Sequence, residues 1–167
     1  MAIREIRVYP DPVLKTVCTP VEGLDDSVDT LVQDLLDTMY ASGHSVGVAA
    51  SQIGDTRRVV VVDVSENKLG RDDNHGSLVM INPEILDREG KKTMREGCMS
   101  VPDYTGNVTR AEMVVVQFLD RRGREQVIRA SGFEAVAIQH EMDHLDGNLF
   151  LDRVSNLKTD VFRRKKR

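Results

Sequence analysis

The chain has 167 residues, of which 30% are charged, and its formal net charge is −4. This length fits one domain with a substantial core, and no apolar run is long enough to cross a membrane. The first residues alternate charged and apolar side chains, unlike a secretory signal, so we expect a cytoplasmic protein. Its two cysteines, Cys18 and Cys98, are expected to be free thiols or a ligand rather than a disulfide pair.

The first predicted element is a helix that begins near Asp25 and ends before Gly43. Apolar residues recur along it at intervals of three or four, which gives it one apolar face. The following segment, residues 45–54, is dominated by small side chains, which let a ligand or another part of the backbone approach closely. Gln52 is its only side chain with both an amide donor and an acceptor. A ligand contact and a bond to nearby backbone are equally compatible with this stretch.

Short runs rich in β-branched residues predict the strands. The predicted strands comprise residues 57–64, 78–82, 108–119 and 124–130. Pro83 ends the second strand because proline cannot donate to a strand ladder. Residues 120–123 form a hairpin turn between the last two strands.

Two more helices are predicted, one over about residues 132–146 and a short one after Asp152 that leads into a basic tail, residues 163–167. Strands precede these helices and short hairpins join them, which is typical of the α+β class. We therefore predict antiparallel β-sheets around a central metal-binding helix, with an N-terminal and a C-terminal helix. No linker divides the chain, so residues 1–167 are expected to form a single catalytic domain.

The central predicted helix carries a His-Glu-x-x-His motif. Ser131 and Glu134 have the spacing of a capping box at its start. Residues four apart lie on one face of a helix, so His140 and His144 converge on one point, and Glu141 reaches a water bound there. Two histidines can occur by chance on a core helix, but the intervening glutamate and the defined helix ends favour a metal site.

The third metal ligand is not part of this motif. Proteases with the motif take it from downstream, but Phe150 occupies the position of the third histidine and no glutamate follows Glu141. Asp152 and Asp160 are possible ligands without a supporting motif. Cys98, upstream, is the best candidate because thiolates bind zinc and iron strongly.

Three segments, in this order, resemble the three motifs of the peptide deformylase family. They are residues 46–52 (VGVAASQ), 96–100 (EGCMS) and 139–145 (QHEMDHL). Two positions depart from the family pattern: Ser45 precedes the first segment where glycine is usual, and Met99 replaces leucine. If position 45 needs a positive φ, its serine costs of order 1 kcal/mol. Neither departure removes a chemical group.

The resemblance implies removal of the formyl group from the N-terminal formyl-methionine of newly synthesised polypeptides. It implies one divalent ion per chain, iron(II) by preference, with zinc, nickel or cobalt able to substitute. The implied ligands are Cys98, His140 and His144. Metal-bound water attacks the formyl carbonyl while Glu141 transfers the proton. The Gln52 amide and the backbone N–H of Met99 stabilise the oxyanion.

The same helix face is predicted to recognise the substrate. Phe133, Val136 and Ala137 precede the first histidine of the motif by seven, four and three positions, so they line up beside the metal. With Val46 and Gly47 they are expected to form an apolar slot for the methionine side chain. The alternative is that they belong to the core, and for Ala137 this is nearly as plausible.

Two other functional classes stay open from the sequence. A metalloprotease would use the same metal and Glu141, but the missing downstream ligand and the short chain disfavour it. A deformylase-like protein that binds metal or peptide without turnover is disfavoured by the intact Glu141 and Gln52. The basic tail is either solvated or contacts ribosomal RNA. No membrane or DNA partner is expected.

Overall fold

The computed structural model of the protein describes residues 2–164. Helix α1 spans Asp26–Ala41 and helix α2 spans Gly132–Leu145, both close to their predicted bounds. Asp25 caps α1, since its carboxylate accepts a hydrogen bond from the backbone N–H of Val28 at 3.1 Å. Among residues 2–164, no helix combines the length and the apolarity needed to span a membrane.

Eight strands are found in the described part of the chain. They are β1 Gly47–Ala49, β2 Val59–Val62, β3 Leu78–Glu89, β4 Lys92–Cys98, β5 Val101–Arg110, β6 Met113–Leu119, β7 Glu125–Ser131 and β8 Val161–Arg163. They pair into two antiparallel sheets, one in the order β1-β2-β3-β6-β7 and one in the order β4-β5-β8. The predicted α+β class with antiparallel sheets is confirmed.

The larger sheet is covered by a helix on each face. Val59 and Val61 of β2 belong to the apolar cluster that contains α1, and Val60 and Val62 belong to the cluster that contains α2. Successive side chains of a strand point to opposite faces, so a continuous apolar run is what a strand buried on both sides requires. This double burial holds α2 rigidly against the sheet and fixes the position of the side chains that α2 presents.

The predicted C-terminal helix is wrong. After a 3-10 turn at Phe150–Arg153, the chain runs to β8, which pairs with β5. The edge of β5 offers free backbone groups, and the pairing extends on both sides of β8: Asn107 N–H donates to the Asp160 carbonyl and Arg164 N–H to the Asp103 carbonyl, each at 2.8 Å. Val154, Leu157 and Val161 have helical spacing, but Leu157 is exposed and the pairing of β8 with β5 decides the conformation.

Two strand boundaries also differ from the prediction. Strand β3 continues past Pro83, because a register shift between Ile81 and Glu84 accommodates the proline without a ladder bond. The single strand predicted over residues 108–119 is two strands in different sheets. They separate at Ala111, whose backbone N–H and carbonyl both bond to a side chain of α2 instead of to a neighbouring strand.

Candidate metal centre

Helix α2 places His140 and His144 one turn apart, with ring centroids 5.1 Å from each other. Ser131 is the N-cap residue of this helix, as predicted, but the capping box is wrong, since the Ser131 side chain makes no capping hydrogen bond. Glu134 instead accepts hydrogen bonds from the backbone N–H of His75 at 2.7 Å and from its ring Nδ1 at 2.5 Å. The loop between β2 and β3 is thereby fastened to the start of the helix.

Cys98, at the end of β4, faces the two histidines. Its Sγ lies 3.5 Å from Nε2 of His144, and one ligand atom from each of the three residues lies within 4.8 Å of the other two. All three residues are buried. Asp152, an alternative ligand, accepts instead from Lys15 and from the backbone N–H of Leu149.

The chemistry of this donor set fits a divalent transition metal. One thiolate and two imidazoles suit zinc or iron and are not the oxygen donors that magnesium or calcium prefers. Burial lowers the pKa of His144 well below its usual value, which favours the neutral imidazole that a metal requires. Burial also lowers the pKa of His140, but Glu141, Cys98 and Glu96 outweigh it and hold that pKa well above its usual value. Its Nδ1 bonds to Glu96, so Nε2 is left for a metal.

A buried network of charged side chains orients the His140 ring. Glu96 accepts from Nδ1 of His140 at 2.8 Å and from Nε of Arg110 at 2.6 Å. Arg110 also donates to Asp143 at 2.8 Å, and Asp143 accepts two further bonds from Arg153. Removing one partner of a buried ion pair typically costs about 3–5 kcal/mol. This network therefore holds the ring rigidly, as the partners of metal-ligating histidines commonly do.

Glu141 lies beside the metal-ligand cluster. Its side chain is buried, its Oε2 is 4.0 Å from Nε2 of His140, and its Oε1 has no protein partner among the described residues. Burial raises the pKa of the Glu141 carboxyl to about 7. A buried carboxylate with a free oxygen next to a metal site is suited to accept a proton from a bound water.

The absence of a side chain at Gly47 leaves room for the Glu141 side chain. A Cβ added at Gly47 would lie 2.7 Å from both Cγ and Oε2 of Glu141, closer than real side chains approach. The small side chain at this position of the first motif therefore has a steric reason. The φ angle of Ser45 is not positive; among the described non-glycine residues only Asn82 has a positive φ. The strain considered for Ser45 does not arise, and its hydroxyl donates to the Gly47 carbonyl at 2.9 Å.

Gln52 contacts both the protein backbone and the metal-ligand cluster. Its Oε1 accepts from the backbone N–H of Ala49 at 3.0 Å. Its Nε2 donates to Ser100 Oγ at 3.0 Å and lies 3.3 Å from Cys98 Sγ. The amide oxygen thus bonds to nearby backbone, as one of the two alternatives predicted, and the amide nitrogen faces the cluster. A contact between Gln52 and a ligand stays a prediction.

A cavity of about 480 Å³ opens onto the cluster. Its walls include all five residues predicted to form the methionine slot, namely Val46, Gly47, Phe133, Val136 and Ala137. Gln52, Met99, Glu141, Cys98 and His140 also line it, whereas His144 lies behind them. Sequence reasoning missed His44, Arg95 and Arg164 on the wall, since none of them belongs to a motif.

The family model described as polypeptide deformylase matches residues 3–160 of this chain. A peptide deformylase of Alkalilimnicola ehrlichii is 48% identical over 165 residues, which cover 99% of this chain and 89% of that protein. One of Xylella fastidiosa is 49% identical over 168 residues, which cover 99% and 95%.

Solved structures give the same result. The crystal structure of a peptide deformylase from Legionella pneumophila superposes with a TM-score of 0.84 at 43% identity, covering 94% of this chain and 89% of that one. The peptide deformylase from Ehrlichia chaffeensis in complex with actinonin superposes with a TM-score of 0.87 at 38% identity, covering 95% and 92%.

Proposed function

This chain belongs to the polypeptide deformylase family, and from that membership we propose a role for each residue of the site. The protein is a metal-dependent hydrolase that removes the formyl group from the N-terminal formyl-methionine of newly synthesised polypeptides. The observation that supports the proposed roles best is the buried Cys98, His140 and His144 cluster beside Glu141, whose Oε1 has no partner in the described part of the chain. We propose that the whole chain acts as a single catalytic domain.

The three cluster residues would hold a divalent ion, and Glu141 would transfer the proton. A divalent ion in this site supplies Lewis acidity, which lowers the pKa of a water molecule and polarises the formyl carbonyl. Glu141 accepts the water proton at Oε1, which has no hydrogen-bond partner among residues 2–164, and returns it to the amine nitrogen of methionine as the C–N bond breaks. Formate and a free N-terminus are the products.

Gln52 and Met99 stabilise the charge that develops on the formyl oxygen. The Gln52 amide is held by Ala49 and Ser100, so it needs little reorganisation to donate to an oxyanion next to Cys98. The Met99 backbone N–H supplies the second donor, from the turn that joins β4 to β5. Loss of one such donor typically costs about 10²–10³ in rate.

The methionine side chain occupies the apolar part of the cavity. Phe133, Val136 and Ala137 line the cavity from α2, and Val46 and Gly47 line it from the start of β1. Full burial of a methionine side chain is worth about 1.5–3 kcal/mol. That energy selects an N-terminal methionine over a smaller or polar residue.

Removal of the metal is the direct test of this function. Wild-type protein should release formate from a formyl-methionyl peptide, lose the activity on dialysis against a chelator, and regain it with added divalent metal. A peptide with an acetyl group in place of formyl is the matched substrate control, because it retains the methionine. Formate release that persists after the metal has been removed would overturn the proposal.

We infer that the resident ion is iron(II), with zinc, nickel or cobalt as substitutes. The cluster contains one soft thiolate and two borderline imidazoles, a set that all four ions accept. Metal analysis of protein purified without oxygen identifies the ion. Iron at about one equivalent supports the inference, and zinc alone at that level contradicts it.

We expect Gly47→Ala to lower the turnover rate by about 10- to 100-fold, because the new methyl group displaces Glu141 and misplacement by about 1 Å can cost that much. Gly23→Ala is the matched control, since nothing lies within 4 Å of a Cβ at that position. Formate release is measured on metal-replete protein. Wild-type turnover by Gly47→Ala would mean that Glu141 does not need its present position.

Metalloprotease activity and binding without turnover are not favoured. The third ligand comes from β4, upstream of the helix, as in the deformylase motif and unlike the protease arrangements. Glu141 and Gln52 are both in place at the cavity.

We further propose that the enzyme works in the cytoplasm and approaches the ribosome through its basic tail. Two residues of the tail bond to β5: Arg163, at the end of β8, pairs with it, and the backbone N–H of Arg164 donates to the Asp103 carbonyl. Residues 165–167 lie outside the described residues. Deletion of residues 165–167 is expected to lower co-sedimentation with ribosomes at low salt, because contacts with polyanionic RNA weaken as cations are removed.

The same deletion should leave turnover of a short formyl peptide unchanged. Replacing Lys165 and Lys166 by arginine keeps the charge and should keep the co-sedimentation. Equal co-sedimentation of full-length and shortened protein would show that the tail makes no ribosome contact.

A further inference from the structure

The last described residue, Arg164, lies at the substrate cavity although it is far in sequence from every motif. It is one of the cavity-lining residues. Its guanidinium covers Gly97, so closely that a Cβ added to Gly97 would collide with Nη2 of Arg164. Gly97 immediately precedes the metal-ligating Cys98. The guanidinium therefore lies on the cavity wall beside the metal-ligand cluster.

Two interactions fix the strand that carries Arg164. Strand β8 is paired with β5, and the pairing extends to the Arg164 backbone, whose N–H donates to the Asp103 carbonyl at 2.8 Å. Phe162 lies under the guanidinium of Arg95, with Cζ 3.7 Å from the ring centroid. Alternate residues of a strand share a face, so Phe162 and Arg164 both point towards the face of β4 that carries Arg95 and Gly97.

The charge of Arg164 is available to a ligand. The residue is exposed, and its side chain makes no hydrogen bond or ion pair with any residue in the described range. Arg95 adds a second cation on the same wall of the cavity. The acidic residues on that wall are engaged deeper inside: Glu96 accepts from Arg110 and His140, and Glu141 is buried.

We propose that Arg164, with Arg95 beside it, makes this enzyme prefer substrates with an acidic side chain at the third residue. The proposal rests on the proposed function and refines it. An extended peptide advances about 3.3 Å per residue. With methionine in the apolar slot, the next two residues pass Gly97 and come within reach of the guanidinium. A carboxylate there forms a charge-assisted contact that an amide does not.

The test compares formyl-methionyl peptides that carry glutamate, glutamine or lysine at the third position and are otherwise identical. For the wild-type holoenzyme we expect kcat/KM to be about three- to fivefold higher for glutamate than for glutamine, the size of an exposed ion pair. The difference should lie in KM, and lysine should be the poorest substrate. Added salt should bring the ratio towards one.

Arg164→Gln should reduce the glutamate-to-glutamine ratio to about one, whereas Arg164→Lys should keep part of it. Arg163→Gln is the matched control, because Arg163 is exposed on the opposite face of β8 and should keep the wild-type ratio. A wild-type ratio of one at low salt, or an unchanged ratio in Arg164→Gln, would overturn the proposal. Absence of wild-type turnover on all three peptides would instead count against the proposed function.

Discussion

Glu141→Gln is expected to lower formate release by at least about 10²-fold while the metal content stays at the wild-type level. The amide has the shape of the carboxylate but cannot accept the proton of the attacking water. Because Glu141 is not one of the three clustered residues, its replacement leaves the ligand atoms of Cys98, His140 and His144 in place. Formate release is measured together with metal content on the same preparation.

Glu66→Gln provides the control for this substitution, since Glu66 is exposed in the loop after β2 and should keep full activity. Near-wild-type turnover by Glu141→Gln would assign the proton transfer to another group. Loss of metal from Glu141→Gln would show instead that this carboxylate helps to hold the ion.

Cys98→Ala should leave the metal content well below one equivalent and abolish most of the activity. Two imidazoles without the thiolate bind a divalent ion much more weakly, since a site of this kind needs three protein ligands. The substitution also removes the Sγ that lies 3.3 Å from Gln52 Nε2. Metal content after gel filtration and circular dichroism of the same sample separate loss of the ion from loss of the fold.

Cys18→Ala is the matched control for Cys98→Ala, because it replaces the other cysteine of the chain. Cys18 is buried in the apolar cluster below α2, and burial raises the pKa of its thiol to about 11, so it remains protonated. This variant should retain the metal. Full metal occupancy in Cys98→Ala would remove Cys98 from the site.

Periodicity predicted α1 well because the sheet stabilises the face that the sequence marks as apolar, and the start and stop residues predicted α2. It failed where tertiary contacts decided the outcome. The Glu134 carboxylate binds the distant His75 instead of the helix start. The predicted long strand divides at Ala111 because the Gln139 side chain takes both of its backbone groups. Partners so remote in sequence leave no local pattern.

The candidate site shows the same division. The clustered metal ligands could be predicted from the sequence. A helical spacing of four identifies His140 and His144, and the motif at residues 96–100 identifies Cys98. Arg110 was not, because a buried arginine is recognised only once its partners Glu96 and Asp143 are seen around it. Arg164 was placed in a basic tail that is either solvated or in contact with RNA, since nothing in the local sequence indicates that β8 pairs with β5.

The most direct measurement counts both products of wild-type, metal-replete protein acting on a formyl-methionyl peptide. Formate and newly exposed N-terminal amine are quantified in the same reaction, and the peptide is analysed for internal cleavage. We predict one formate for each new amine, with every peptide bond intact. New amines without formate, or cleaved peptide bonds, would contradict the assignment of this site to deformylation.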